Sequence, residues 1–334
     1  MQELVLTRKR PLRLTGFLLV AALLSLAFAM VAGSDGVRPG LFAETLAGNL
    51  AADDARVVLE LRLPRALSAF AVGGLLAVAG VLMQVLLRNP LADPYVLGTS
   101  GGAAFAALAA ILAGFSAAGV DAAAFVGAAA ATLIVFGIGG LRTGFAPTLL
   151  LLTGVVLASG FGAGVSLLLA VSPDATLRGM LFWLMGDFSL ALSPTAPLAA
   201  LAVAVVVGLL MARALDVLAQ SPERALLLGL PLTRMRISVL LFASLLTAYA
   251  VTLAGSIGFV GLVVPHLVRG FTGVRHAALL PASAVAGGCL LVIADTLSRT
   301  VLAPRQLPVG TLTALIGVPL FLYLLRQTLP ARER

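Results

Sequence analysis

Apolar residues fill long stretches of the chain, and the polar ones gather in short segments between them. Runs near 20 residues recur, each long enough to cross a hydrocarbon core of about 30 Å as a helix. The spacing predicts ten spans, at residues 14–31, 66–87, 97–115, 118–139, 148–171, 193–212, 235–255, 258–270, 277–297 and 309–325. The eighth is short for a full crossing and contains Pro265, so it is expected to start deep or to be broken. Residues 33–61 mix Asp35, Glu44, Asp53, Asp54 and Glu60 with Arg38 and Arg56, which predicts a solvated loop with a short surface helix near 41–52. The first span has the flanks of a signal peptide, with Arg8, Lys9, Arg10 and Arg13 before it and a small-residue site at Ala27-Phe28-Ala29. Its length and the spans that follow favour a retained helix. The expected fold class is all-α: a single polytopic membrane domain over residues 1–334.

One break in the pattern organises the rest. The stretch from Ala79 to Gly98 begins as apolar helix and meets Asn89-Pro90 and Asp93-Pro94. Proline has no amide hydrogen and drives the preceding residue out of the helical region, so the helix ends there. Ala79-Gly80 and Pro90 have an echo 175 residues on, in Ala254-Gly255 and Pro265. Five crossings separate the second span from the seventh. The echo therefore predicts an inverted repeat, with halves near 62–171 and 235–325 and a pathway between them. In a chain rich in alanine and glycine, chance recurrence is the alternative.

Composition agrees with the pattern. The chain is 60% hydrophobic and 11% charged, against roughly 25% charged in a soluble domain. The net charge of +8 does not form a stripe that would follow nucleic acid; single arginines sit between apolar spans, as topology signals do. With the N-terminus cytoplasmic, fifteen of the basic residues fall inside and seven outside, which places both termini in the cytoplasm. The seven are Arg38, Arg56, Arg62, Arg65, Arg178, Arg299 and Arg305. The lone cysteine, Cys289, lies in an apolar run and can make no intrachain disulfide.

Little in the chain suggests chemistry. The only lysine, Lys9, has no glycine loop before it, so no lysine-dependent phosphate loop exists here. His266 and His276 stand apart from any acidic partner at metal-ligand spacing, and no metal site is expected. Asp295 and Arg299 are four apart on one helix face, either as an ion pair or with the arginine turned to a partner. His266, just after Pro265, suits a neutral imidazole bonding loosened carbonyls. Acidic groups near mid-membrane, which an ion-coupled carrier would want, are nearly absent.

The longest inside segment, 213–236, contains Ser221-Pro222-Glu223, a helix start with a capping serine, proline at the first position and an acid in the first turn. Arg224 and Ala225 follow, and Gly229 and Pro231 end the helix soon after. Such a helix suits docking to a soluble partner, or is an ordinary surface helix.

Leu61-Arg62-Leu63-Pro64-Arg65, then Gly80 with Gln84, Asn89-Pro90-Leu91-Ala92, Pro94 and Leu97-Gly98 stand in order along the chain. So do the run from Gly255 to His266, Ala294-Asp295 and Leu307-Pro308-Val309-Gly310. Together they resemble the permease subunits of ABC importers for ferric siderophores, haem and cobalamin, the FecCD type of type II importers, over residues 14 to 327. The resemblance implies a subunit of the inner, cytoplasmic membrane that dimerises with a second copy or a paralogue. It implies ATPase subunits below, which would bind ATP and magnesium, and a substrate-binding protein outside; no cofactor is implied in this chain. Arg62, Arg65 and Arg299 would meet acidic residues of the binding protein. Asn89 and Leu91, with Pro147 and Thr148, would form the inner gate, although Pro147 departs from the small hydroxyl residues expected there. Ser221, Pro222, Glu223, Arg224, Ala225 and Gly229 would form the coupling helix.

The implied activity is inward transport of a ferric siderophore, driven by ATP on a partner. Cobalamin, haem or an oxyanion are alternatives within the same fold, and an ion-coupled secondary transporter is the alternative from another class.

Overall fold

The computed structural model describes residues 2–33, 36–38, 40–48, 52–140, 147–189, 193–220 and 222–328. Helix α1 (Gln2–Val31) leads into a small hairpin of β1 (Ala32–Gly33) and β2 (Gly36–Val37), then α2 (Gly40–Ala47) and α3 (Ala52–Arg56). The core helices follow: α4 (Leu63–Leu86), α5 (Thr99–Leu112), α6 (Ala117–Val135) and α7 (Pro147–Val171). Next come α8 (Asp174–Met185), α9 (Thr195–Leu218) and α10 (Pro222–Leu227). The chain closes with α11 (Leu232–Ala254), α12 (Val260–Thr272), α13 (His276–Thr300) and α14 (Val309–Thr328). Among the described residues seven helices are long and apolar enough to cross a membrane, and the apolar parts of α1, α5 and α12 are shorter. These correspond one for one to the ten expected spans.

Two expectations need correction. The 33–61 stretch is largely helical: α3 runs through a wide π-helical turn, Val57–Arg62, straight into α4. Its apolar residues explain this, since Val58 is buried against the bundle while Val57, Leu59 and Leu61 turn outward as a lipid-facing side would. The second is α8, which the search for long apolar runs passed over. It starts after Pro173 with Asp174 in its first turn and stops at Gly186 in a positive-φ conformation, the local signals of a short helix.

The bundle is organised about α4, whose residues from Ala71 to Leu86 are all buried. It packs on α9, α11, α12 and α13. Gly73 of α4 and Gly287 of α13 face each other so closely that a Cβ on either would strike the other's carbonyl, the small-residue contact that brings membrane helices together.

The repeat is present in the packing. Exchanging α4–α7 for α11–α14 turns each neighbour pair into another that exists. Thus α4–α13 becomes α11–α6, α4–α12 becomes α11–α5, and α5–α7 becomes α12–α14. Five apolar helices lie between the start of α4 and the start of α11 (α4, α5, α6, α7 and α9, of which α5 is short), an odd number that sets the halves in opposite directions. The motif echo does not mark this equivalence, however. Helix ends match Leu86 with Ala254, whereas the echo matches Ala79, in mid-helix, with Ala254. The two motifs are partners instead. Pro265 lies inside α12 and cannot donate to the carbonyl of Gly261 four residues back. That freed carbonyl points at Gly80, where a Cβ would stand within 1.8 Å of it. A helix carbonyl and a bare Cα fit where a larger residue could not.

Helix α5 has 14 residues and α12 has 13, about 20 Å each, short of a crossing. The eighth span thus starts deep and is unbroken. The breaks before the two helices reach each other inside the bundle: the Ile257 amide donates to Tyr95 Oη at 3.2 Å, and the Ser100 and Ser256 hydroxyls lie 2.7 Å apart.

Candidate functional site

The sequence-predicted site residues gather at two ends of the bundle. At the first, α4 begins. Pro64 lies two residues past the π-helical turn in this continuous helix, where it has no amide hydrogen to give to the ladder, and Arg65 follows. Arg65 holds Asp295 of α13 with a forked grip: Nη2 to Oδ1 at 2.7 Å, Nε to Oδ1 at 3.1 Å and Nε to Oδ2 at 3.0 Å. Arg299, one turn along α13, brings Nε to 3.3 Å from Asp295 Oδ2 without hydrogen-bond geometry. Arg62 donates to the Met30 carbonyl of α1 at 2.8 Å. Asp295 is 1% exposed and the side chains of Arg65 and Arg299 are each 13% exposed. The three sequence-predicted arginines are therefore gathered at one end, but their donors are turned largely inward. An ion pair with one member so deeply placed is costly to break, since removing a partner strands a buried charge. Arg56, Arg178 and Arg305, named with them by the outside arginine bias, sit exposed on the segments around this end.

A knot of backbone lies beside the arginines. Gly186 ends α8, Gly255 ends α11 and Gly310 opens α14. Gly186 and Gly255 have φ of 80° and 69°, which favours glycine. A Cβ on Gly255 would come within 2.2 Å of the Trp183 carbonyl, and one on Gly310 within 2.3 Å of the Met185 carbonyl. The Asp187 amide donates to the Ala254 carbonyl and the Val309 amide to the Gly186 carbonyl, both at 3.0 Å. Asp187 Oδ1 in turn accepts from the Ser189 amide and from Gln306 Nε2, both at 3.1 Å, and lies 3.5 Å from Arg65 Nη2. Sequence reasoning passed over Asp187 and Gln306, although Gln306 adjoins the Leu307-Pro308-Val309-Gly310 motif. Behind α8 is a cavity of about 830 Å³, bounded among others by Ser68, Asp121, Trp183 and Asp187.

The second end carries the predicted gate and coupling segments. Arg88 takes a left-handed conformation, and Asn89 uses Oδ1 to accept from the Leu91 amide at 2.9 Å. Asn89 thus builds its own turn. Among the described residues the buried Nδ1 of His266 has no hydrogen-bond partner. Gln84 is buried, donating to the Leu262 carbonyl at 3.2 Å and accepting from Arg269 at 3.0 Å. Pro147 is the first residue of α7, as its fixed φ suits, and Thr148 beside it is exposed. Helix α7 packs on the Pro94–Leu97 turn.

Pro222 and Glu223 are the first two positions of α10; Ser221 lies outside the described residues. Ala225 is fully buried and holds α10 to α9 and α11. Gly229, at φ 73°, turns the chain so that the Leu230 amide reaches the Ala225 carbonyl. Arg224 Nη1 lies 3.4 Å from Gln220 Oε1. Leu227 and Leu228 are 87% and 69% exposed, two large apolar side chains turned away from the bundle. Nearby, Asp216 of α9 accepts from both the backbone amide and the ring Nδ1 of His276, clamping α9 to the first turn of α13. Among the described residues no three His, Cys, Asp or Glu side chains gather as a metal site would need.

The chain as a whole is similar to known proteins. A model of the FecCD transport family matches residues 18–327. The hemin transport system permease protein HmuU of Yersinia pestis is 39% identical over 331 residues, 96% of this chain and 97% of that protein. The cobalamin import system permease protein BtuC of Halobacterium salinarum is 44% identical over 275 residues, 81% of this chain and 73% of that protein. A solved inward-facing structure, from an ABC transporter assigned to the metal-chelate type, matches with a TM-score of 0.81 at 29% identity, covering 95% of this chain and 99% of that one.

Proposed function

The chain belongs to the FecCD transport family, and we propose that it is the membrane-spanning permease subunit of an ABC importer for a large metal chelate. That class takes in the ferric siderophore implied by the motifs and the hemin and cobalamin named for its relatives. The observation that carries the proposal is the match to a hemin permease over nearly the full length of both chains.

In this reading the arginine end faces outward and receives a substrate-binding protein, and the α10 end faces the cytoplasm of a cell bounded by this inner membrane. ATP is hydrolysed on separate ATPase subunits that seat on α10. Two permease copies enclose the pathway. The membrane helices move as rigid bundles, and the 88–92 turn and the start of α7 close the inner side. The chain itself needs no reactive group, which suits a bundle whose buried Gln84, Thr247 and Thr296 bond backbone carbonyls.

Reconstitution tests this. Vesicles holding the permease with its ATPase, supplied with binding protein and ATP, should accumulate one of ferric siderophore, hemin or cobalamin, with the others competing weakly. Accumulation by the permease alone on an ion gradient would overturn the proposal.

A further inference from the structure

Arg65 has two carboxylate partners of unequal strength. Asp295 takes the forked grip described above, joining two helices of the bundle, and is almost wholly buried. Asp187 stands 3.5 Å from the same Nη2, is 23% exposed, and belongs to the connection between α8 and α9 rather than to a helix. A third carboxylate arriving from solvent would displace the long, exposed contact and leave the short buried one, because a forked, desolvated pair holds more strongly than a single exposed one. Asp187 is also the residue whose backbone is bonded to the end of α11. It follows directly on Gly186, whose carbonyl holds the start of α14. A change at its side chain thus reaches the ends of α8, α11 and α14 within one or two residues. The cavity behind α8, with Asp187 on its wall, leaves room for that segment to shift.

We propose that Asp187 is a positioning residue that latches the glycine knot to Arg65, and that an acidic group of the docked binding protein releases the latch by taking its place on Arg65. The outer end of α8 is then freed when, and only when, a delivery protein is seated. This rests on the docking reading above, yet the latch itself can be tested apart from it.

Trp183, the chain's only tryptophan, lies in the last turn of α8, and its carbonyl abuts Gly255. Its emission and its quenching by acrylamide report on the knot in the purified permease in lipid vesicles. D187N keeps an oxygen to accept from Ser189 and Gln306 and removes only the charge. D187N should raise Trp183 quenching without any partner present, and R65Q should do the same from the other side of the contact. D187E should restore the wild-type value. In the assembled transporter D187N should bind the binding protein up to about fivefold more tightly, since Arg65 no longer has Asp187 to exchange. Quenching that D187N leaves unchanged overturns the latch whatever R65Q shows, because R65Q also strands the buried Asp295. Binding-protein affinity that R65Q leaves intact overturns the docking reading instead, whatever the quenching shows.

Discussion

Gly80 has no side chain and Pro265 has no amide hydrogen, and the two absences meet. The Gly261 carbonyl released by Pro265 occupies the space that a Cβ on Gly80 would need. Both residues stood out in the sequence, but as members of a supposed repeat. Their true relation was hidden because contact between Gly80 and Gly261, 181 positions apart, leaves no periodic trace in either helix. Ala at Gly80 would place its methyl against backbone on both sides, where no rotamer can give way. G80A should therefore destabilise the fold by ~1–3 kcal/mol or more, the cost of overpacking a tight contact. Thermal unfolding of the purified permease in detergent measures this, and G16A, which meets nothing within 4 Å, is the control expected to be silent. A G80A protein as stable as the control would show that α4 and α12 can part without loss.

Elements were legible in proportion to their apolar length. The seven long spans and the three shorter apolar helices could all be read from the sequence, because a long apolar run has few alternatives to lying within a membrane. Helix α8 and the turn before α4 escaped, since their apolar residues cover one side only and their polar ones resemble loop. Helix α10 was legible from its proline, acid and glycine alone. Those signals locate a helix but do not say which side it shows, so the outward Leu227 and Leu228 came only with the structure. Two leucines this exposed contribute almost nothing to the fold of the single chain, so L227A/L228A should leave its stability within ~0.5 kcal/mol. As the apolar anchors of a docking helix they should matter far more, and the double variant should weaken ATPase binding at least about tenfold. Titration of the ATPase against permease in vesicles would decide. Unchanged affinity would move the contact to Glu223 and Arg224, the residues the motif implies.

At the scale of the whole molecule, one helix is out of place in a single copy. Helix α7 is long and apolar, yet almost none of it is buried within the chain. Its inner side rests on α5 and the Pro94–Leu97 turn. The other side carries Ser159, Ala163, Ser166 and Ala170 at helical spacing, all exposed. A helix facing lipid alone gains from large side chains; small ones suit either close approach of a second copy or room for a bulky cargo. In the proposed dimer both demands fall on the same central gap, and lining by small apolar groups leaves selection to shape and to the delivering protein. A163L separates these cases. Among the described residues the position is exposed, so unfolding should again shift by no more than ~0.5 kcal/mol. If α7 lines the pathway, ATP-driven uptake should fall while ATP hydrolysis continues, and the fall should be steeper for the larger of two transported chelates. A helix that only faces lipid would show normal uptake of both. Loss of the dimer in cross-linking, with hydrolysis lost as well, would place α7 at the contact between copies rather than along the route of the cargo.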